Sequence, residues 1–221
     1  MNEYLISQNK TNETVISNNF NNDELKRFSK SDYRWAENRT KHFRHRVVKK
    51  GEIYQFEFGK NYKPEMSYEH RGLVIGIKQK LLYVLPVFSY DQSKHPDVYH
   101  PTDYPKSKSD LFLLKNSEFS FINHDSVLKL NDIRTVSVNR ILYQHNGVIP
   151  TTSDTYKQIE QLVIHKYFPN FYHDYEQLQL KVAYLEKKQI YLEHKKLIFS
   201  LHKNCFHIFN ASFANLSASS L

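Results

Sequence analysis

The chain has one cysteine, Cys205, in 221 residues. A lone thiol cannot close an intramolecular disulfide, so a reducing compartment, the cytoplasm, is expected. Glycine is scarce too, at five residues. Phosphate-cradling loops need glycines to bring backbone N–H groups against a phosphate, and GxxxxGK[ST] is absent, which argues against a nucleotide loop. No apolar run approaches the ~20 residues that cross a bilayer. The opening MNEYLISQNKTNETVISNN has no basic region followed by an apolar one, so no secretory signal is expected. GxSxG is also missing, and Cys205 sits far along the chain, so acyl transfer has no good nucleophile.

Positive charge and aromatics are plentiful. Lys and Arg number 31 against 23 Asp and Glu, a formal charge of +8. Such a surplus favours anionic partners, nucleic acid first. Aromatics make up 14% of the chain, and beside cations they suit base stacking, although most belong in a core. Twelve histidines invite a metal reading. The pair His42 and His45, and His202, Cys205 and His207 in HKNCFH, lack the paired-cysteine or HExxH spacing of a zinc site. No metal or other cofactor is expected.

Patterning divides the chain. Residues 1–23 are Asn-rich and read as a disordered or loosely attached arm. Residues 24–48 read as a basic helical segment, one or two short helices capped by Asp23, with Lys26, Arg27, Lys30 and Arg34 among its cations. The period then becomes two. GEIYQFEFGK reads as a half-buried strand, NYKPEMSYEHR as a polar loop, and GLVIGIKQ and KLLYVLPVFS as a hairpin turning near residues 78–80. A long loop with Pro96, Pro101 and Pro105 follows, of the kind that is usually functional or mobile. LFLLKNSEFSFI and SVLKLNDIRTVSV supply further strands, and Ser153 caps a helix with Ile159, Leu162 and Val163 on its apolar face. Five or so short strands and a helix predict an α+β fold, a small β-barrel with a helical appendage. Residues 174–204 read as a long helix with Tyr175, Leu178, Val182, Leu185 and Leu192 at three-four spacing, interrupted by Gln189 and Lys196. Residues 205–221 read as a tail.

The charged knot Glu69-His70-Arg71 stands before the apolar run that Gly72 opens. RNA cleavage needs neither metal nor protein nucleophile, because the 2′-hydroxyl attacks its own phosphate. The protein must deprotonate that hydroxyl, protonate the leaving oxygen and stabilise the phosphorane. A guanidinium suits the last task, since its planar fork pairs with two phosphate oxygens and stays charged. Arg71 and Ser89, at the edges of neighbouring strands, are placed to meet. Read without further support, Arg71 is first of all an arginine of a solvated turn.

Three segments, in order, resemble the MazF/PemK family of toxin endoribonucleases: KGEIYQFEFG, then EHRGLVIGI with LLYVLPVFS, then DSVLKLNDIRTVSVNRI. The likeness spans residues 49–168 and leaves both extensions outside it. It implies an SH3-like barrel of the kind also seen in gyrase poisons. It further implies a homodimer, metal-independent cleavage of single-stranded RNA such as mRNA, and a cognate antitoxin. The family's catalytic arginine falls on Arg71 and its catalytic hydroxyl on Ser89, and Arg134 falls on a structural or interfacial position. Glu69 and His70 are candidates for orienting Arg71 or carrying protons, and Lys60, Lys63 and Lys94 for RNA contacts. Gly72 stands where relatives usually have proline, which predicts a looser Arg71 loop. The competing readings are a catalytically weak RNA binder on the same fold and a protein-inhibiting toxin. The long helix is expected to serve interaction or oligomerisation.

Overall fold

The computed structural model describes residues 2–39 and 47–218, with side chains through residue 198. His42 and His45 therefore lie outside the described residues, as do the side chains of His202, Cys205 and His207. The chain forms two units, Met1–Tyr167 and Phe168–Leu221.

Two helices open the first unit. The stretch expected to be a disordered arm is helical, α1 (Asn2–Ser17), although it buries no side chain. After it, α2 (Asn22–Asn38) is one helix, and its cap is Asn21 rather than Asp23. Asn21 Oδ1 accepts from the Glu24 N–H at 2.9 Å, and the Glu24 carboxylate accepts from the Asn21 N–H at 3.1 Å. That reciprocal pair satisfies two N–H groups that the first turn would leave orphaned, which is why the helix starts here.

Seven antiparallel strands form one sheet: β1 (Glu52–Glu57), β2 (Glu69–Lys78), β3 (Leu81–Ser89), β4 (Leu111–Leu114), β5 (Ser126–Lys129), β6 (Arg134–Ser137) and β7 (Ile141–Val148). Their order is β4-β5-β3-β2-β1-β7, with β6 also on β3. β5 pairs with the end of β3, Val87–Ser89, and β6 with its start, Leu81–Val84. The 3-10 turn Val138–Arg140 then carries the chain from the β3 edge to the β1 edge. The path ends at β4 and β7, which do not pair, so the sheet is open among the described residues. The architecture is α+β, a seven-stranded antiparallel sheet with four helices.

The central strands are buried on both faces, which departs from the half-buried pattern expected for β1. Ile53, Leu73, Leu85 and Leu128 pack on one face beneath α3 (Asp154–Tyr167), which contributes Tyr156, Ile159 and Val163. Tyr54, Phe56, Val74 and Val84 pack on the other with Val136 and Ile141. Those last two come from strands on opposite sides of the β1–β3 group, so the sheet must curl to bring them together. Ser153 caps α3 as expected, its Oγ accepting from the Tyr156 N–H at 3.2 Å.

Three placements differ from the sequence reading. β2 starts at Glu69, so Glu69, His70 and Arg71 are strand residues rather than loop residues. β7 was not expected from the pattern at all, because ILYQHNGV buries only Ile141 and Gly147. In the second unit, α4 (Pro169–Ala218) is 50 residues long and absorbs most of the expected tail.

Candidate active site

Arg71 stands in a row that crosses five strands. It pairs with Gln55 on β1 and Val87 on β3; Gln55 pairs onward with Tyr143 on β7, and Val87 with Leu128 on β5. Directly paired residues of an antiparallel sheet share a face, as do residues two apart along a strand. The same face therefore carries Ser89, Ser126 and His145, one step from that row. The row is apolar at its β3–β5 end, where it joins the core, and polar at its β1–β7 end.

The Arg71 guanidinium donates from Nη2 to Ser126 Oγ at 3.2 Å. Ser126 is completely buried, and its hydroxyl donates to the His124 carbonyl at 3.2 Å. Burial lowers the Arg71 pKa, and the nearby Tyr143 phenol opposes that shift. No carboxylate pairs with Arg71 among the described residues, so a half-buried cation faces a neutral hydroxyl. A desolvated charge without a counter-charge is costly, and an arriving anion relieves that cost.

Two imidazoles contact its neighbours along the sheet, His145 at Gln55 and His124 at Ser89. His124 Nε2 lies 2.7 Å from Ser89 Oγ. His145 Nε2 lies 3.0 Å from Gln55 Oε1. With that amide oxygen as acceptor, Nε2 carries the hydrogen and Nδ1 keeps a free lone pair. Burial depresses the His145 pKa, and the Arg71 charge lowers it further. The imidazole is thereby held neutral, as a proton acceptor must be.

The sequence-derived candidates sort as follows. Arg71 and Ser89 share a face and a neighbourhood, joined through β5: Arg71 bonds Ser126, the register partner of Ser89. Glu69 does not orient Arg71. Its carboxylate accepts from Arg34 at 2.6 Å and Lys30 at 3.3 Å, both on α2. Burial raises its pKa, but the Arg34 and Lys30 contacts outweigh that and leave it lowered. Glu57, nearly buried, accepts from the same Arg34 at 3.1 Å and from Ser31 at 3.0 Å. The two glutamates thus fasten α2 to the β1–β2 edge. His70 is half-buried on the opposite face, paired with Phe56, and burial and then Arg27 lower its pKa. Lys60 pairs with Asp32 at 2.5 Å and lies over the Phe28 ring, so it too belongs to the α2 anchorage. Lys94 pairs with Asp91 at 3.1 Å, whereas the exposed Lys63 has no ion-pair partner among the described residues. Arg134 bonds Asp132 at 2.6 Å and Glu65 at 3.0 Å, a structural placement.

Gly72 is not a loosening element. It lies within β2 between Tyr54 and Pro86, and a Cβ there would sit 2.3 Å from Val84 Cγ1 and 2.9 Å from Phe56 Cδ2. Packing from both neighbouring strands excludes any larger residue, so the backbone beside Arg71 is held firmly.

A cleft of about 400 Å³ separates α2 from the sheet, where Lys26, Arg27, Lys30 and Arg34 stand with Asp23, Glu57 and Glu69 beside His70 and Gln55. Gln55 connects it to His145. The sequence reading missed Gln55, Ser126, His124, Tyr143 and His145. Only the register brings them to Arg71, and no motif marks them. No protein-family model matches the chain, and no curated protein is significantly similar to it.

Proposed function

We propose that this protein is a metal-independent endoribonuclease that cleaves single-stranded RNA by 2′-hydroxyl attack, the toxin of a toxin–antitoxin pair. The observation that carries the reading is Arg71: a half-buried guanidinium bonded to Ser126, with no carboxylate partner among the described residues and with His145 on its register partner Gln55. In this scheme His145 Nδ1 takes the 2′-hydroxyl proton. Arg71, positioned by its bond to the buried Ser126, holds the non-bridging oxygens as the phosphorane forms, supplying charge where it develops. His124, through Ser89, returns a proton to the departing 5′-oxygen. The products are a 2′,3′-cyclic phosphate and a 5′-hydroxyl.

The SH3-like reading of the curled sheet, the homodimer, the antitoxin partner and a cytoplasmic site of action come with the MazF/PemK resemblance. Lys26 and Arg27, which line the α2 cleft beside Gln55 and make no ion pair among the described residues, support a contact with flanking RNA phosphates. No described helix is long and apolar enough to cross a membrane.

The test is incubation with a long RNA in EDTA, with 5′ ends mapped, for the natural chain and for Arg71→Ala, Ser89→Ala and His145→Ala. Cleavage at defined sites, lost in Arg71→Ala, is expected. Unchanged cleavage in Arg71→Ala would sink the assignment. RNA retention without cleavage would favour the binding-only reading.

A further inference from the structure

Every side chain of α4 from residue 173 through residue 198 is exposed. Leu178 is 59% exposed, Leu185 51% and Leu192 46%, on a helix that offers them no partner. An apolar stripe of this length on a free helix calls for a second surface.

The stripe has coiled-coil order. Tyr175, Leu178, Val182, Leu185, Gln189 and Leu192 alternate by three and four, so leucine recurs every seventh residue at one seam position. Outside it, Tyr184, Tyr191 and Ile198 also recur every seventh residue, but Lys187 and His194 stand at the positions that would alternate with them, so they form no second apolar seam. The other seam position holds Tyr175, Val182, Gln189 and Lys196. Val182 there with leucine at the alternate position favours two strands, and the polar Gln189 and Lys196 confine the apolar seam to residues 175–192.

The flanks identify the partner. Lys181 and Lys188 directly precede Val182 and Gln189, on one side of the seam. Glu186 and Glu193 follow those same residues by four, on the other side. In a parallel, in-register pair, each flanking residue faces the one five positions on in its neighbour. Lys181 then faces Glu186, and Lys188 faces Glu193, twice over by symmetry. An antiparallel pair would set lysine against lysine and glutamate against glutamate. The charge pattern complements itself in the parallel arrangement only.

We infer that α4 is a parallel, in-register dimerisation helix whose partner is a second copy of this chain. Gln189, which now donates to Glu193 at 3.0 Å within its own helix, meets Gln189 of the second copy across the seam and fixes the register. The inference does not depend on the nuclease reading, because it rests on α4 alone.

The test is disulfide trapping in the full chain. Leu178→Cys and Leu192→Cys are made separately, each with Cys205→Ser to remove the native thiol. Each variant alone is expected to form a covalent dimer on mild oxidation. Adding Lys181→Glu and Lys188→Glu should reduce that yield at least tenfold. Mixing this protein with one carrying Glu186→Lys and Glu193→Lys, plus the same cysteine, should restore it as a mixed dimer. No trapping in either single variant, trapping only when the Leu178→Cys and Leu192→Cys proteins are mixed, or yields indifferent to charge reversal would each overturn the inference.

Discussion

The Ser89 hydroxyl and the His124 imidazole lie 2.7 Å apart, one from the last residue of β3 and the other from the segment entering β5. This contact joins a hydroxyl to an imidazole nitrogen at hydrogen-bond distance, the geometry that proton transfer needs. Replacing His124 with alanine is therefore expected to slow RNA cleavage by about 10²- to 10⁴-fold, the usual worth of a positioned acid or base. Ser89→Ala should lose less, because the imidazole remains. Single-turnover rates on a fluorogenic RNA in EDTA measure both, and equal rates for His124→Ala and the natural chain would remove His124 from the mechanism.

Gly72→Ala is expected to destabilise the fold by about 1–3 kcal/mol, the usual range for overpacking a filled core. The added methyl meets Val84 Cγ1 at 2.3 Å. Shortening that neighbour in the double variant Gly72→Ala/Val84→Ala should recover part of the loss. Urea denaturation of the two variants gives the comparison, and a neutral Gly72→Ala would mean the strand spacing is softer than the structure shows.

The pH dependence of stability should carry a His70 component. Burial, with Arg27 adding to it, holds the folded His70 pKa below its ordinary value of 6.5. Below that ordinary value the unfolded chain binds a proton that the folded chain refuses, so unfolding gains. The contribution is complete above pH 6.5 and is lost as pH falls through the lower folded pKa. His70→Gln should shrink the drop in denaturation midpoint between neutral and mildly acidic solution. An unchanged drop would place the titration elsewhere.

Arg34→Ala should free α2 before the sheet unfolds. The guanidinium bridges Glu57 and Glu69 at 3.1 and 2.6 Å, and Glu57 is only 5% exposed. Glu57 keeps its bonds to Ser31 and the Gly59 N–H, so the loss is expected at about 2–3 kcal/mol rather than that of a bare buried charge. Trp35, the one tryptophan of the chain, lies on α2 and reports that helix by fluorescence. In the variant its transition should move to lower urea than the far-ultraviolet signal, whereas coincident transitions would show that α2 and the sheet still unfold together.

Legibility in the sequence followed hydrophobic contrast. The β2–β3 hairpin and α3 were readable because their apolar residues recur at the period of the element. β7 was not, since an edge strand of this sheet needs few buried residues, and YQHNG in its middle resembles a loop. α1 was read as disordered because its apolar residues form no buried face, and none is buried in the structure. Arg71 and Ser89 were picked out by a family-like pattern, and the sheet sets them on one face. Glu69 was misassigned because alternation places it on the Arg71 face without revealing that α2 reaches it first.

The periodicities, the charge surplus of residues 24–48 and the heptad order of α4 can be read directly from the chain, since each is local along it. It takes the folded sheet to bring Ser126 and His145 near Arg71, which pairs with no carboxylate among the described residues. Cross-strand register sets those neighbours, and register depends on bulges, turns and burial in strands far apart in sequence. The tertiary structure also decided the meaning of Gly72, because steric exclusion by Phe56 and Val84 arises only when three strands meet.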